Sequence, residues 1–137
     1  MTDPLPRLIV DTSVVSYVFN RDSRAAFYLP KMNGKRLIIS FQTLEELWFG
    51  AAKDGWGSRR KGELSRHLGD YAIVWSNPEL ARISAELRAE RRSAGRELKP
   101  ADAWIAATAL LLTCPLASHD TDFVGVPKLD LIRDPSA

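Results

Sequence analysis

Short apolar runs that stop at polar turns, each separated from the next by a helical stretch, set the strongest limit on how this chain can fold. Leu8-Ile9-Val10 stops at Asp11-Thr12-Ser13, Leu37-Ile38-Ile39 at Ser40, and Leu116-Ala117 at Ser118-His119-Asp120. A third strand is expected over Tyr71 to Trp75, and a last edge strand over Leu129 to Ile132. Helices are expected at about 14–20, 23–32, 41–53, 59–68, 77–94 and 101–113. The best marked is the fifth, where Asn77-Pro78-Glu79 supplies a cap, a first-turn proline and a first-turn acid, and Gly95 a stop. Thr12 or Ser13 is expected to cap the first. Strands alternating with helices imply βαβ units, so the expected fold class is α/β: a three-layer α/β/α arrangement with a short central parallel sheet and helices on both faces.

A chain of 137 residues, 45% of them hydrophobic, is long enough for one domain with one core and too short for two domains. One domain is expected over 8–132, with a flexible N-terminus at 1–7 and a tail at 133–137. Nineteen basic residues against 17 acidic give a net charge of +2, too mild to announce a nucleic-acid partner by itself. Cys114 is the single cysteine and lies in an apolar stretch, so it reads as a buried structural thiol. No apolar core marks Met1 to Arg7 as a signal peptide, and no apolar run approaches the ~20 residues of a membrane helix, so a cytoplasmic protein without membrane association is expected.

Four acids, Asp11, Glu46, Asp102 and Asp120, each sit beside a different apolar segment with no cluster of His or Cys. All-oxygen ligand sets suit hard divalent cations such as Mg2+ and Mn2+. Asp11 and Asp120 fall at the carboxyl ends of expected strands, where ligands bind in open parallel sheets. Asp102 opens a helix, where an acid is favoured by the helix dipole whether or not it has a further role. Glu45 and Glu46 point about 100° apart on their helix. The apolar stripe Leu44, Leu47, Trp48 and Ala51 borders Glu45, so amphipathic pattern leans to that residue. His119 stands in a polar turn with no proton-transfer partner in view, and reads as a bystander.

Four segments in order, Asp11-Thr12-Ser13, Thr43-Leu44-Glu45-Glu46-Leu47-Trp48-Phe49-Gly50, Pro100-Ala101-Asp102-Ala103-Trp104-Ile105-Ala106-Ala107-Thr108-Ala109 and Ser118-His119-Asp120-Thr121-Asp122-Phe123, resemble the ordered motifs of PIN-domain ribonucleases, most closely the VapC-like toxin branch. The resemblance spans Leu8 to Ile132 and implies a PIN-like fold. It matches Asp11, Glu46 and Asp102 to the family's most constant acids and Asp120 to a more variable fourth. Its Glu-Leu-x-x-Gly register selects Glu46 over Glu45, against the amphipathic reading. It implies Mg2+ or Mn2+ held by Asp11, Asp102 and Asp120, with Thr12, Ser13, Ser118 and Asp122 in support. Water ionised with the help of those cations would attack an RNA phosphodiester in line, leaving 5′-phosphate and 3′-hydroxyl ends. A cognate antitoxin covering the acidic groove, and homodimers formed through helices, are also implied.

Acids repel RNA, so a basic rim is needed. Arg88, Arg91, Arg92, Arg96 and Lys99 lead directly to Asp102, and Arg59, Arg60, Lys61 and Arg66 form a second cluster; a solvated helix face is the plain alternative for both. Trp56, between two glycines, reads equally as a stacking residue or as packing under its own loop. A haloacid-dehalogenase-type phosphatase is disfavoured because Ser13 stands where a second Asp is required. The competing class is a catalytically inactive PIN-like module that binds RNA or protein.

Overall fold

A computed structural model describes residues 5–137. Strands β1 (Arg7–Val10), β2 (Arg36–Ser40), β3 (Ala72–Val74), β4 (Leu116–Ala117) and β5 (Leu131–Ile132) alternate with helices α1 (Thr12–Phe19), α2 (Ala25–Met32), α3 (Phe41–Lys53), α4 (Ser58–Leu68), α5 (Pro78–Ser93) and α6 (Pro100–Leu112). The five strands form one parallel sheet in the order β3-β2-β1-β4-β5. Chain order runs outward from β1 in one direction to β3 and in the other through β4 to β5. The reversal falls between β1 and β4, the switch point at which open α/β sheets form a crevice at their carboxyl edge.

The strands are buried on both faces, which is why they read as unbroken apolar runs. Leu8, Val10 and Ile39 point into a core shared with α1 to α4, while Ile9, Ile38 and Leu116 point into a second core under α5 and α6. Ile9, Val10 and Ile39 are fully buried, and each such side chain contributes about 1.5–3 kcal/mol relative to an exposed one. Helix α6 approaches the sheet closely because Ala103, Ala106, Ala107 and Ala109 face inward, all at 1% exposure or less. Enlarging Ala106 to Leu is expected to destabilise by about 1–3 kcal/mol through overpacking, readable as a lower denaturation midpoint. Cys114 is buried as expected, and its thiol pKa is raised by that burial.

Asn77 caps α5 by accepting from the Leu80 N–H at 2.9 Å, and Gly95, at φ +74°, stops the helix just past Ala94. The first helix departs from expectation. Its N-cap is Asp11, with no side-chain cap bond, because the Thr12 and Ser13 hydroxyls are engaged with acids instead. Of the N-terminal segment expected to be flexible, residues 1–4 lie outside the described residues, and Arg7 already pairs with Arg36 in the sheet. The expected tail is tied back: Arg133 donates to the His119 carbonyl at 3.3 Å, and the Asp134 N–H to the Tyr28 hydroxyl at 3.1 Å. Among the described residues, no helix is long and apolar enough to cross a membrane.

Candidate active site

Asp11 follows β1 directly, and its N–H extends the ladder to the Ala117 carbonyl at 2.9 Å. This fixes the acid against the end of β4. Its Oδ2 accepts from Ser118 Oγ at 2.6 Å and Ser13 Oγ at 3.2 Å. Ser118 Oγ also accepts from the Asp120 N–H at 3.1 Å, so one fully buried hydroxyl links the turns carrying two acids. Asp120 in turn caps the short 3-10 turn Thr121–Phe123 by accepting from the Asp122 N–H at 2.9 Å.

Carboxylate oxygens of Asp102, Asp120 and Asp122 lie within 4.8 Å of one another. Asp102 comes from the first turn of α6, placed there by Pro100 at the helix start. This convergence includes Asp122, expected in support, whereas Asp11 stands beside it with Oδ2 already hydrogen-bonded. Glu46 completes the group from α3: its Oε1 accepts from Thr12 Oγ1 at 2.7 Å, and its charge acts on both Asp11 and Asp102. Glu45 is exposed and accepts from Gln42 at 3.1 Å. The amphipathic pattern leaned to Glu45, but α3 turns Thr43 and the half-buried Glu46 towards Thr12 of α1, so it is Glu46 that stands with the other acids.

The electrostatics follow from crowding in a partly dry crevice. Burial pushes the Asp11 carboxyl up to about 6, opposed by the hydrogen bonds from Ser118, Thr12 and Ser13, with the Glu46 charge adding to the rise. Burial again, followed by the charges of Asp120, Asp11, Asp122 and Glu46, pushes Asp102 up to about 7. A cation of charge two relieves both penalties. The donor set is all oxygen, three of its acids converge, and it is short of positive charge, so it fits a hard divalent cation and not a thiophilic metal.

The basic residues divide. Arg88, Arg92, Arg96 and Lys99 are exposed, with Arg92 3.5 Å from Glu97. Arg91 is 5% exposed and donates to the Gly125 carbonyl at 2.9 Å, so it holds the loop after the 3-10 turn and faces no solvent ligand. His119 is anchored by packing: its Nδ1 lies 2.7 Å from the hydroxyl of the buried Tyr28, and its ring meets Tyr17 edge-on. Tyr28 lies 91 residues away in sequence, and no local signal links the two.

A family model described as the PIN domain matches residues 8–129. This chain belongs to the PIN domain family. The PIN domain is similar to the VapC ribonuclease Y4jK of Sinorhizobium fredii, with 28% identity over 92% of this chain and 96% of that protein. Its fold matches that of VapBC2 from Rickettsia felis, solved bound to a DNA fragment from its promoter, with a TM-score of 0.80 and 22% identity over 92% of this chain and 97% of that one. VapBC-5 from Mycobacterium tuberculosis gives a TM-score of 0.69 and 26% identity over 94% and 100%. The PIN domain is thus related, at low identity, to VapC toxins of VapBC toxin-antitoxin systems.

In this PIN domain Ser118→Ala is expected to lower RNA cleavage by about 10–100-fold, the usual cost of losing a partner that orients a ligand. Unchanged cleavage rates would show that Asp11 needs no such support.

Proposed function

We propose that this PIN domain is a divalent-metal-dependent endoribonuclease toxin restrained by a cognate antitoxin. The observation that carries the reading is the convergence of Asp102, Asp120 and Asp122 at the switch point of the sheet, with Asp11 and Glu46 beside them. Asp11, Asp102 and Asp120 would hold the cation, joined by Asp122. When bound, Mg2+ or Mn2+ supplies positive charge that favours ionisation of a water and offsets charge developing on the phosphate. The chain's own residues do the positioning: Ser13 and Ser118 fix Asp11, and Thr12 fixes Glu46; in this reading Glu46 would accept a proton from the attacking water. RNA is the substrate by family, cut to leave 5′-phosphate and 3′-hydroxyl ends. Incubating end-labelled RNA with the protein, Mg2+ or Mn2+, and an EDTA control is expected to give those ends only with metal; cleavage in EDTA, or cyclic phosphate products, would overturn the mechanism.

Arg88, Arg92, Arg96 and Lys99 form the approach rim in this reading. Reversing the charges of Arg92 and Arg96 is expected to weaken RNA binding and to reduce the slope of log affinity against log salt by about 1.4, at roughly 0.7 for each single-strand phosphate that is no longer neutralised. An unchanged slope would remove both from the interface. An antitoxin partner is supported by relatives solved as toxin-antitoxin complexes, including one from Klebsiella pneumoniae at 26% identity. Exposed Leu29 on α2, Phe49 on α3 and Trp75 after β3 offer apolar surface for that partner and for a second copy in a homodimer.

A further inference from the structure

A cleft of about 210 Å3 opens between α1 and α3 and runs from Glu46, at the edge of the acidic group, to the turn that follows α3. Thr12 and Glu46 line its inner end, Ser16 and Asn20 of α1 and Asp54 its side, and Phe19 and Trp56 its outer end. Its shape follows from helix spacing. Thr12, Ser16 and Asn20 recur every four residues on α1, and Glu46 and Gly50 do so on α3, so two polar edges face each other above the apolar floor of Leu47, Ala51 and Leu64.

Gly50 lines the cleft. A Cβ at this position would meet nothing within 4 Å, so no neighbour in the chain requires a glycine. Glycine in a helix interior costs about 0.5–1 kcal/mol relative to alanine. The aromatic end is firmly built: Gly55, at φ +68°, turns the chain so that the Trp56 N–H bonds back to the Ala51 carbonyl at 3.0 Å. Trp56 then stacks on Phe19 with centroids 5.8 Å apart, and the Arg60 guanidinium lies 4.1 Å from the Trp56 ring centroid. Arg60 also donates to the Asn20 Oδ1, and the Asn20 amide nitrogen to Ser16 Oγ at 3.2 Å, which sets the orientation of the amide.

We propose that this cleft is a nucleobase subsite that receives one unpaired base of the RNA beside the bond to be cut. The proposal rests on the nuclease reading. The space equals roughly seven water molecules at about 30 Å3 each, enough for one planar base and too little for a helical peptide. Its walls combine aromatic surface with hydroxyl, amide and carboxylate groups, the mixture that reads an unstacked base edge. Arg60 places a cation at the mouth for the neighbouring phosphate.

The test is fluorescence anisotropy of labelled A, C, G and U homo-oligoribonucleotides and of a ribose-phosphate oligomer without bases. It compares Asp102→Asn protein with the same protein also carrying Gly50→Ala or Gly50→Leu, all with Mg2+. Both substitutions enter open space in a helix, so melting temperatures are expected to hold or rise. Gly50→Leu is expected to weaken the preferred oligomer by about 5- to 150-fold, the range for loss of one stacked base. It should also flatten the preference among the four and leave the base-free oligomer unaffected, with Gly50→Ala intermediate. Unchanged affinity and preference in folded Gly50→Leu protein would overturn the subsite, as would equal loss for the base-free oligomer. Failure of the nuclease reading shows separately, as absence of metal-dependent cutting by the unsubstituted chain while base-dependent binding persists.

Discussion

Asp102→Asn is expected to lower RNA cleavage by more than about 100-fold and, in the same protein, to raise the melting temperature of the metal-free form. The first effect follows from position. Losing a group that merely orients a metal ligand costs about 10–100-fold, and Asp102 contributes its own oxygen to the convergent trio. The second follows from the environment that makes it useful: burial first, then the charges of Asp120, Asp11, Asp122 and Glu46, push its carboxyl up to about 7. An amide of the same shape has no charge to desolvate and nothing to repel. Opposite signs for activity and stability mark a group kept for function at a cost in stability. The paired control is Glu45→Gln, an exposed change expected to stay within about 0.5 kcal/mol of the starting stability and to leave cleavage intact. A destabilised Asp102→Asn protein would show that this acid holds the fold together.

At pH 7.5, Mg2+ or Mn2+ at 100 times its dissociation constant is expected to stabilise the protein by about 2.7 kcal/mol, a rise in melting temperature of roughly 8–10 °C for a chain of this length. At pH 4.5 the rise should largely vanish. Asp11 and Asp102 have carboxyls raised from the ordinary 3.8 to about 6 and about 7 in the folded chain. Between those values the folded state binds more protons than the unfolded one, so stability falls as pH rises. The penalty is absent below pH about 4, grows through the interval and is complete above pH about 7, and a cation that binds ionised carboxylates acts only where they are ionised. Thermal unfolding with and without metal across pH 4–8 checks both parts; a metal effect independent of pH would place the ion elsewhere.

Much of this was legible in the sequence because local chemistry and tertiary role coincide. Helix α3 begins and ends where its pattern places it, at Phe41 and Lys53, and α5 opens at a cap that works as its side chains suggest. The apolar runs identify a doubly covered parallel sheet since each strand must satisfy two cores. Sheet order is a different matter: β1 lies between β2 and β4 through pairings of residues far apart in sequence, such as Arg7 with Arg36 and Val10 with Ala117, and no local pattern encodes them. The same distance hides Tyr28 behind His119. Arg91 reads as one more member of a basic run, yet it is drawn inside by a carbonyl 34 residues away. Helical periodicity leaned to Glu45 because it treats every polar position as solvent-facing, whereas the half-buried Glu46 is turned towards Thr12 and the neighbouring acids. Asp122 joins the convergent carboxylates through the 3-10 turn capped by Asp120, a geometry that sequence spacing alone leaves open.

The most direct test of the central claim is single-turnover cleavage of a labelled RNA pool by the purified protein, freed of any antitoxin, with Mg2+, Mn2+ or EDTA. Asp11→Asn, Glu46→Gln and Glu45→Gln proteins run alongside. The account predicts cutting that requires metal, is lost in Asp11→Asn and Glu46→Gln, and persists in Glu45→Gln. Folded protein that cuts no RNA with either metal, or that cuts equally well without Asp11, would contradict it.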